Sequence, residues 1–167
     1  ETPTCDALKA GVAVYCEKPL AHSSASAERM CKCAAETGTL LVTAYKFRFF
    51  PNVVWARQVV EAGKLGTVIM ARITFAGIAD MSARWFSKKD IAGGGVMLDN
   101  GTHGIDLLRY VLGEVRGVFA ACGTRGVPIE VEDSCRILLE MENGSWGSVD
   151  LTWAAPQPDN ILEVMGT

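Results

Sequence analysis

Within the first 45 residues, two helical stretches alternate with two short apolar runs, and that alternation leaves few folds open. Residues 12–16 (Val-Ala-Val-Tyr-Cys) and 39–44 (Thr-Leu-Leu-Val-Thr-Ala) are runs of strand length, of the kind that parallel sheets bury on both faces. Residues 4–10 read as a helix closed by Gly11. A second helix starts among Ser23, Ser24 and Ser26, continues through Glu36 and stops at Gly38. Serine accepts hydrogen bonds from the free N–H groups at a helix start, and glycine takes the left-handed conformation that ends one. Helix, strand, helix, strand is the order of a doubly wound α/β layer, because parallel neighbours can be joined only by a crossover.

After Pro51 the pattern changes. Residues 52–62 read as a helix ending at Gly63, residues 68–75 alternate as a strand, and further strands are expected at 115–122, 134–141 and 145–153. Asn143-Gly144 sits between the last two and tolerates the positive φ angles of a tight hairpin. Residues 46–167 are therefore assigned to an α+β domain with a largely antiparallel open sheet. The chain opens on Glu1 and stops in the apolar run Ile161-Leu-Glu-Val-Met-Gly-Thr167. It is expected to be an internal piece of a longer protein, with this second domain truncated at its C-terminus.

Sixteen Lys and Arg against nineteen Asp and Glu give a formal charge of −3 without a basic block, which argues against a nucleic-acid partner. No uncharged apolar run is long enough to cross a bilayer, so a membrane partner is not expected either. The cysteines Cys5, Cys16, Cys31, Cys33, Cys122 and Cys135 are scattered through apolar surroundings. They read as small buried side chains in a reducing compartment, hence a cytoplasmic location. Cys31 and Cys33, two apart on a helix, point about 200° apart and cannot share a metal or a bond.

Chemistry concentrates in the stretch that follows Gly93-Gly94-Gly95. At the 100° per residue of an α-helix, Asp99, His103, Asp106 and Tyr110 fall within an arc of about 60°, opposite a stripe that includes Ile105, Leu108 and Leu112. A face of this composition is compatible with a solvated surface, an acid–base site or a metal site. The chain has only two histidines, His22 and His103. A carboxylate one turn away on either side of His103 is expected to favour the imidazolium and raise its pKa. Glu17-Lys18-Pro19 ends the first strand, where open α/β sheets meet their ligands, although a loop ion pair between Glu17 and Lys18 is the alternative. Tyr45-Lys46-Phe47-Arg48 and Arg84-Trp85-Phe86 are basic and aromatic clusters that suit either ligand binding or packing.

Taken together, Ala7-Leu-Lys-Ala-Gly11, Cys16-Glu-Lys-Pro-Leu20, Arg48-Phe-Phe-Pro51, Gly63-Lys-Leu-Gly66, Gly93-Gly-Gly-Val96, Asp99-Asn-Gly-Thr-His103 and Val131-Glu-Asp133 resemble the glucose–fructose oxidoreductase, inositol dehydrogenase and rhizopine-catabolism family. The resemblance implies that residues 1–45 are the C-terminal remnant of a Rossmann-like dinucleotide-binding domain. It implies that residues 46–167 form a substrate-binding and dimerisation domain. The activity implied is NAD- or NADP-dependent hydride transfer at a CH–OH group of a sugar, cyclitol or related polyol. Within the resemblance, His103 matches the base, Lys18 the cation that steadies the alkoxide, and Asp99 the carboxylate that orients substrate or histidine. Glu17, Lys18 and Pro19 match the turn that shapes the nicotinamide pocket, and Arg48 and Trp85 match looser positions along cofactor and substrate. No metal is implied, and the homo-oligomer implied forms through the second domain's sheet.

This chain departs from the family's pattern at the glycine-rich pyrophosphate turn: no Gly-x-Gly-x-x-Gly occurs in it. The chain on its own is accordingly expected to be inactive. Two other readings stay open, a non-catalytic interaction or ligand-binding module with the same C-terminal fold and a metal-dependent hydrolase built on the Asp-His-Asp face.

Overall fold

Ser23 and Gly38 close the two ends of one helix by the means their chemistry allows. The Ser23 hydroxyl accepts the Ser26 N–H at 3.3 Å, and Gly38 stands at φ +64°, ending the helix Ser24–Thr37. This helix belongs to the first of two compact units, Glu1–Tyr45 and Lys46–Thr167, in a computed structural model that describes residues 1–167.

The first unit runs α1 (Thr2–Lys9), β1 (Val14–Glu17), α2 (Ser24–Thr37), β2 (Leu41–Ala44). The two strands pair in parallel, from Val14 opposite Leu41 to Glu17 opposite Ala44. Leu8 of α1 and Met30 of α2 are fully buried where α1 packs on α2 and β1. The strand face bearing Tyr15 and Val42 is exposed, with Tyr15 at 67%. Within residues 1–45, α1 packs on β1 and leaves the face that bears Tyr15 and Val42 open. Cys31 is exposed and Cys33 buried, as their separation on a helix requires.

The second unit starts with a 3₁₀ turn, Lys46–Phe49, then α3 (Pro51–Glu61) and β3 (Val68–Ile78). A second 3₁₀ turn, Trp85–Ser87, and α4 (Lys89–Ala92) lead into a π turn, Met97–Gly101, and α5 (Thr102–Leu112). The remaining strands are β4 (Val115–Gly123), β5 (Ser134–Met141), β6 (Trp146–Thr152) and β7 (Ala154–Gly166). They form one sheet in the order β4-β5-β6-β3-β7, antiparallel throughout except for the parallel pair β3–β6. Every second residue of β5, from Cys135 to Met141, is buried, as are Val149 and Leu151 of β6 and Ala71 and Ile73 of β3. This inner face packs with Leu107, Leu108, Val111 and Leu112 of α5 into a single core.

Three features depart from the sequence expectations. The last strand begins at Ala154, well before the apolar run at 161–167. Pro156 and Pro158 disguise its first half, and both fall between Ala154 and Asp159, where the register with β3 shifts and missing N–H donors are tolerated. Cys122 and Cys135 are not separate buried thiols: they stand opposite each other in the β4–β5 ladder, Cα atoms 4.1 Å apart, and form a disulfide. Strand register brings them together, and register is invisible to a count of cysteines. The helix carrying the polar face opens with a π turn, so a uniform 100° per residue does not hold across Met97–Gly101. By contrast, a hairpin turn does fall at Asn143-Gly144, although only Gly144 takes a positive φ, +85°, and the Asn143 carboxamide oxygen accepts the Ser145 N–H at 2.9 Å.

Asp133, fully buried, ties down the loop before β5. Burial pushes its pKa up, but N–H groups of Gly126, Val127 and Arg125 and the Ser134 hydroxyl, at 2.7 to 2.8 Å, outweigh that and hold it below the ordinary carboxylate value. A depressed folded-state pKa stabilises the fold above the unfolded value of about 3.9, and the gain disappears as pH falls through the folded value. Asp133→Asn is expected to cost about 2 kcal/mol at pH 7 and to flatten the loss of stability below pH 4. Thermal melts across pH check this, and an unchanged acid slope would contradict it.

Candidate active site

The helical stretch that carries Asp99, His103 and Asp106 is held by the sheet beneath it and by the turn that opens its unit. Gly104 lies where α5 crosses β6, and an added Cβ would sit 2.6 Å from the Val149 side chain. The helix axis thus approaches the sheet more closely than a side chain would allow. His103 on one side of Gly104 and Asp106 beyond it are both buried, at 4% and 6% exposure. A solvated polar face, one of the readings left open by the sequence, is therefore excluded for these two residues.

The Asp106 carboxylate is met by Arg48 from the 3₁₀ turn Lys46–Phe49. The Arg48 Nε lies 2.8 Å from Oδ2 and 3.1 Å from Oδ1, and Nη2 makes a further bond to Oδ1. The same guanidinium lies 5.2 Å from the Tyr110 ring centroid, and Arg57 of α3 lies 4.3 Å from it. Both distances are within cation–π range. Phe47, next to Arg48, sets its ring edge-on to His103 with centroids 4.6 Å apart and stacks on Phe75 at 5.7 Å. One side of the imidazole is thus apolar and closed to water, and the charge of one flanking carboxylate is met by an arginine.

Asp99 is half-buried in the π turn and lines a cleft of about 220 Å³ together with Asn100, Phe75, Trp153 and Asn160. The Trp153 indole N–H donates to Asn100 Oδ1 at 2.9 Å, fixing that wall. Sequence reasoning passed over Asn100, Trp153 and Asn160, since each becomes part of a site only once β6 and β7 are laid beside the π turn. Trp85 is exposed and stacked on Phe86, centroids 3.9 Å apart. No three His, Cys, Asp or Glu side chains converge as a metal site requires.

Glu17, Lys18 and Pro19 belong to the first unit, in the turn that leaves β1, and the Lys18–Pro19 peptide is cis. Lys18 is half-buried there and Glu17 exposed. His22 is exposed. No helix is long and apolar enough to cross a membrane.

Comparison with known proteins matches two family models to the chain. Residues 1–45 match a family described as "Oxidoreductase family, NAD-binding Rossmann fold", and residues 53–167 match "GFO/IDH/MocA C-terminal domain". Levoglucosan dehydrogenase of Pseudarthrobacter phenanthrenivorans is 30% identical over 96% of this chain and 49% of its own length. Myo-inositol 2-dehydrogenase of Thermotoga maritima is 31% identical over 95% of this chain and 48% of its own length. A solved structure of levoglucosan dehydrogenase in complex with NADH superposes with a TM-score of 0.92 at 29% identity, over 99% of this chain and 48% of that one. The chain spans about half the length of the curated relatives it matches.

Removing Arg48 leaves the Asp106 charge buried and uncompensated. Arg48→Ala is expected to cost about 2 to 3 kcal/mol, somewhat below a fully buried pair because the arginine keeps 38% exposure. Arg48→Ala combined with Asp106→Ala should recover much of that loss in denaturant melts. Strictly additive single-mutant losses would show the pair to be uncoupled.

Proposed function

Because this chain belongs to the GFO/IDH/MocA family of oxidoreductases, we propose that it is part of an NAD(P)-dependent dehydrogenase that moves a hydride between a nicotinamide and a CH–OH carbon of a sugar, cyclitol or related polyol. In this reading residues 1–45 complete a dinucleotide-binding domain and residues 46–167 form the substrate-binding domain. The observation that carries it is a buried imidazole, His103, on a helix whose preceding turn presents Asp99 to a cleft. The names of the relatives, a levoglucosan dehydrogenase and a myo-inositol 2-dehydrogenase, support the substrate class.

The residues of the first unit fit a nicotinamide cofactor. β1 and β2 run parallel and end side by side at Glu17 and Ala44, and open α/β sheets take nucleotides outside the carboxyl ends of their strands. Glu17, Lys18 and Pro19 would shape the nicotinamide end of that site, with Arg48 and Trp85 assigned looser places along cofactor and substrate. The pyrophosphate clamp is not among these 167 residues, since no Gly-x-Gly-x-x-Gly occurs. When bound, the nicotinamide supplies the hydride acceptor for oxidation.

His103 takes the proton of the substrate hydroxyl as the C–H hydride leaves, and the Lys18 ammonium steadies the alkoxide that develops. Asp99 orients the substrate or the imidazole. The apolar edge contact from Phe47 keeps water off His103, which strengthens each of these electrostatic interactions. A nicotinamide-dependent enzyme works where the cofactor pool is, so the reading is cytoplasmic. The Cys122–Cys135 disulfide is the one feature more typical of an oxidising compartment.

The outer face of the five-stranded sheet is assigned to a second copy of the protein. Met165, Met70 and Trp146 form one cross-strand row, and Leu138 and Phe119 extend the next. All five are exposed, Phe119 at 74%, and apolar patches of this kind mark association surfaces. Leu138→Asp with Trp146→Asp in the full-length protein is expected to shift its sedimentation to the monomer. An unchanged sedimentation coefficient would remove this face as the interface.

The function is tested with His103→Ala in the full-length enzyme, assayed as NAD(P)⁺ reduction against a panel of sugars and cyclitols. Turnover is expected to fall at least about 100-fold with little change in cofactor affinity. Undiminished turnover would overturn the assignment of His103 as the base and favour a non-catalytic role for this domain.

A further inference from the structure

The head of the helical stretch that carries Asp99 and His103 is held by a residue that comes 37 positions later in the chain. Gly95 N–H donates to Glu132 Oε1 at 2.8 Å and Met97 N–H to the same oxygen at 3.1 Å. Between them, Val96 N–H donates to the main-chain carbonyl of Glu132 at 2.9 Å. A helix start leaves its first N–H groups without partners inside the helix. Here one residue takes three successive donors, two with its side chain and one with its backbone. The approach is close enough that a Cβ on Gly95 would fall 2.0 Å from the Glu132 carbonyl oxygen, which explains a glycine at that point. The five residues that follow, Met97–Gly101, form the π turn. Asp99 is inside it and His103 lies two residues past its end. Because the π turn begins at Met97, one of the residues Glu132 holds, the azimuth and depth of the turn depend on that anchor.

We propose that Glu132 is a positioning residue for the reaction. Its carboxylate clamps Gly95 and Met97, and through the π turn it sets where Asp99 and His103 stand. Glu132 touches neither substrate nor cofactor in this account, and its negative charge complements the positive end of the helix. The inference rests on the reading of Asp99 and His103 as reacting groups. The Val131-Glu132-Asp133 sequence divides the work: Asp133 organises its own loop, as described above, and Glu132 reaches out of that loop to the helix.

The test uses the full-length holoenzyme with Glu132→Ala and Glu132→Gln. A displacement of about 1 Å in a reacting group costs on the order of 100-fold in rate, so Glu132→Ala is expected to lose about 10- to 100-fold in kcat with KM for the polyol within about threefold. Glu132→Gln keeps a side-chain oxygen for the two N–H donors and should stay within about threefold of wild type in kcat. Unchanged kcat in Glu132→Ala, or a raised KM with kcat intact, overturns the proposal. If Glu132→Ala fails to fold, Glu132→Asp replaces it: a carboxylate shortened by one methylene should lower kcat at a native melting temperature, and wild-type kcat in that variant counts against the proposal. The ring resonances of His103, assigned with His103→Asn, give a readout that needs no turnover. They should move in Glu132→Ala and return toward wild type in Glu132→Gln, and identical spectra overturn the positioning role. A wild-type enzyme without polyol oxidation would instead refute the proposed function while leaving the resonance measurement to decide on Glu132.

Discussion

A carboxylate taken out of water must find its charge met inside the protein, and at Asp106 that requirement organises the whole helix on which the site is built. Arg48 answers it through its Nε and Nη2 from a turn 58 residues earlier. Because Phe47 precedes Arg48, fixing the guanidinium also fixes one aromatic ring against both His103 and Phe75. Tyr110, one helical turn beyond Asp106, lies within cation–π distance of both Arg48 and Arg57. One electrostatic demand therefore couples α3, the opening turn of the unit and α5. The imidazole inherits its surroundings from that coupling.

Much of this was legible in the sequence wherever a local signal carried it. Ser23 and Gly38 bound α2 as capping chemistry dictates, and Asn143-Gly144 turns β5 into β6. The alternation of residues in β5 matches its burial, with Arg136 and Leu138 out and Ile137 and Leu139 in. What escaped reading depends on partners distant in the chain. The first half of β7 looks like a loop because of Pro156 and Pro158, and only its pairing with β3 makes it a strand. Cys122 and Cys135 pair through strand register.

For the candidate site the division is similar. Asp99, His103 and Asp106 could be grouped by helical spacing, yet that spacing could not say which were buried or that a π turn intervenes. Arg48 was visible as part of a basic and aromatic cluster, but its engagement with Asp106 was not. Asn100 and Trp153 form one wall of the cleft through a single indole hydrogen bond between the π turn and the residue that follows β6. Sites held on helices and strands in this way are positioned more exactly than sites held on loops alone.

The parallel pairing of β3 with β6 has a consequence for how the second unit comes into being. Both strands that flank β3, namely β6 and β7, are made only after the helices, β4 and β5. During synthesis β3 emerges with neither edge covered, and α5 emerges before much of the sheet surface it will cover has been translated. Completing the pairing of β3 therefore waits on contacts of long sequence separation, which close slowly. Until β7 is complete, the apolar underside of α5 and the open edges of β3 are the surfaces a chaperone would meet first.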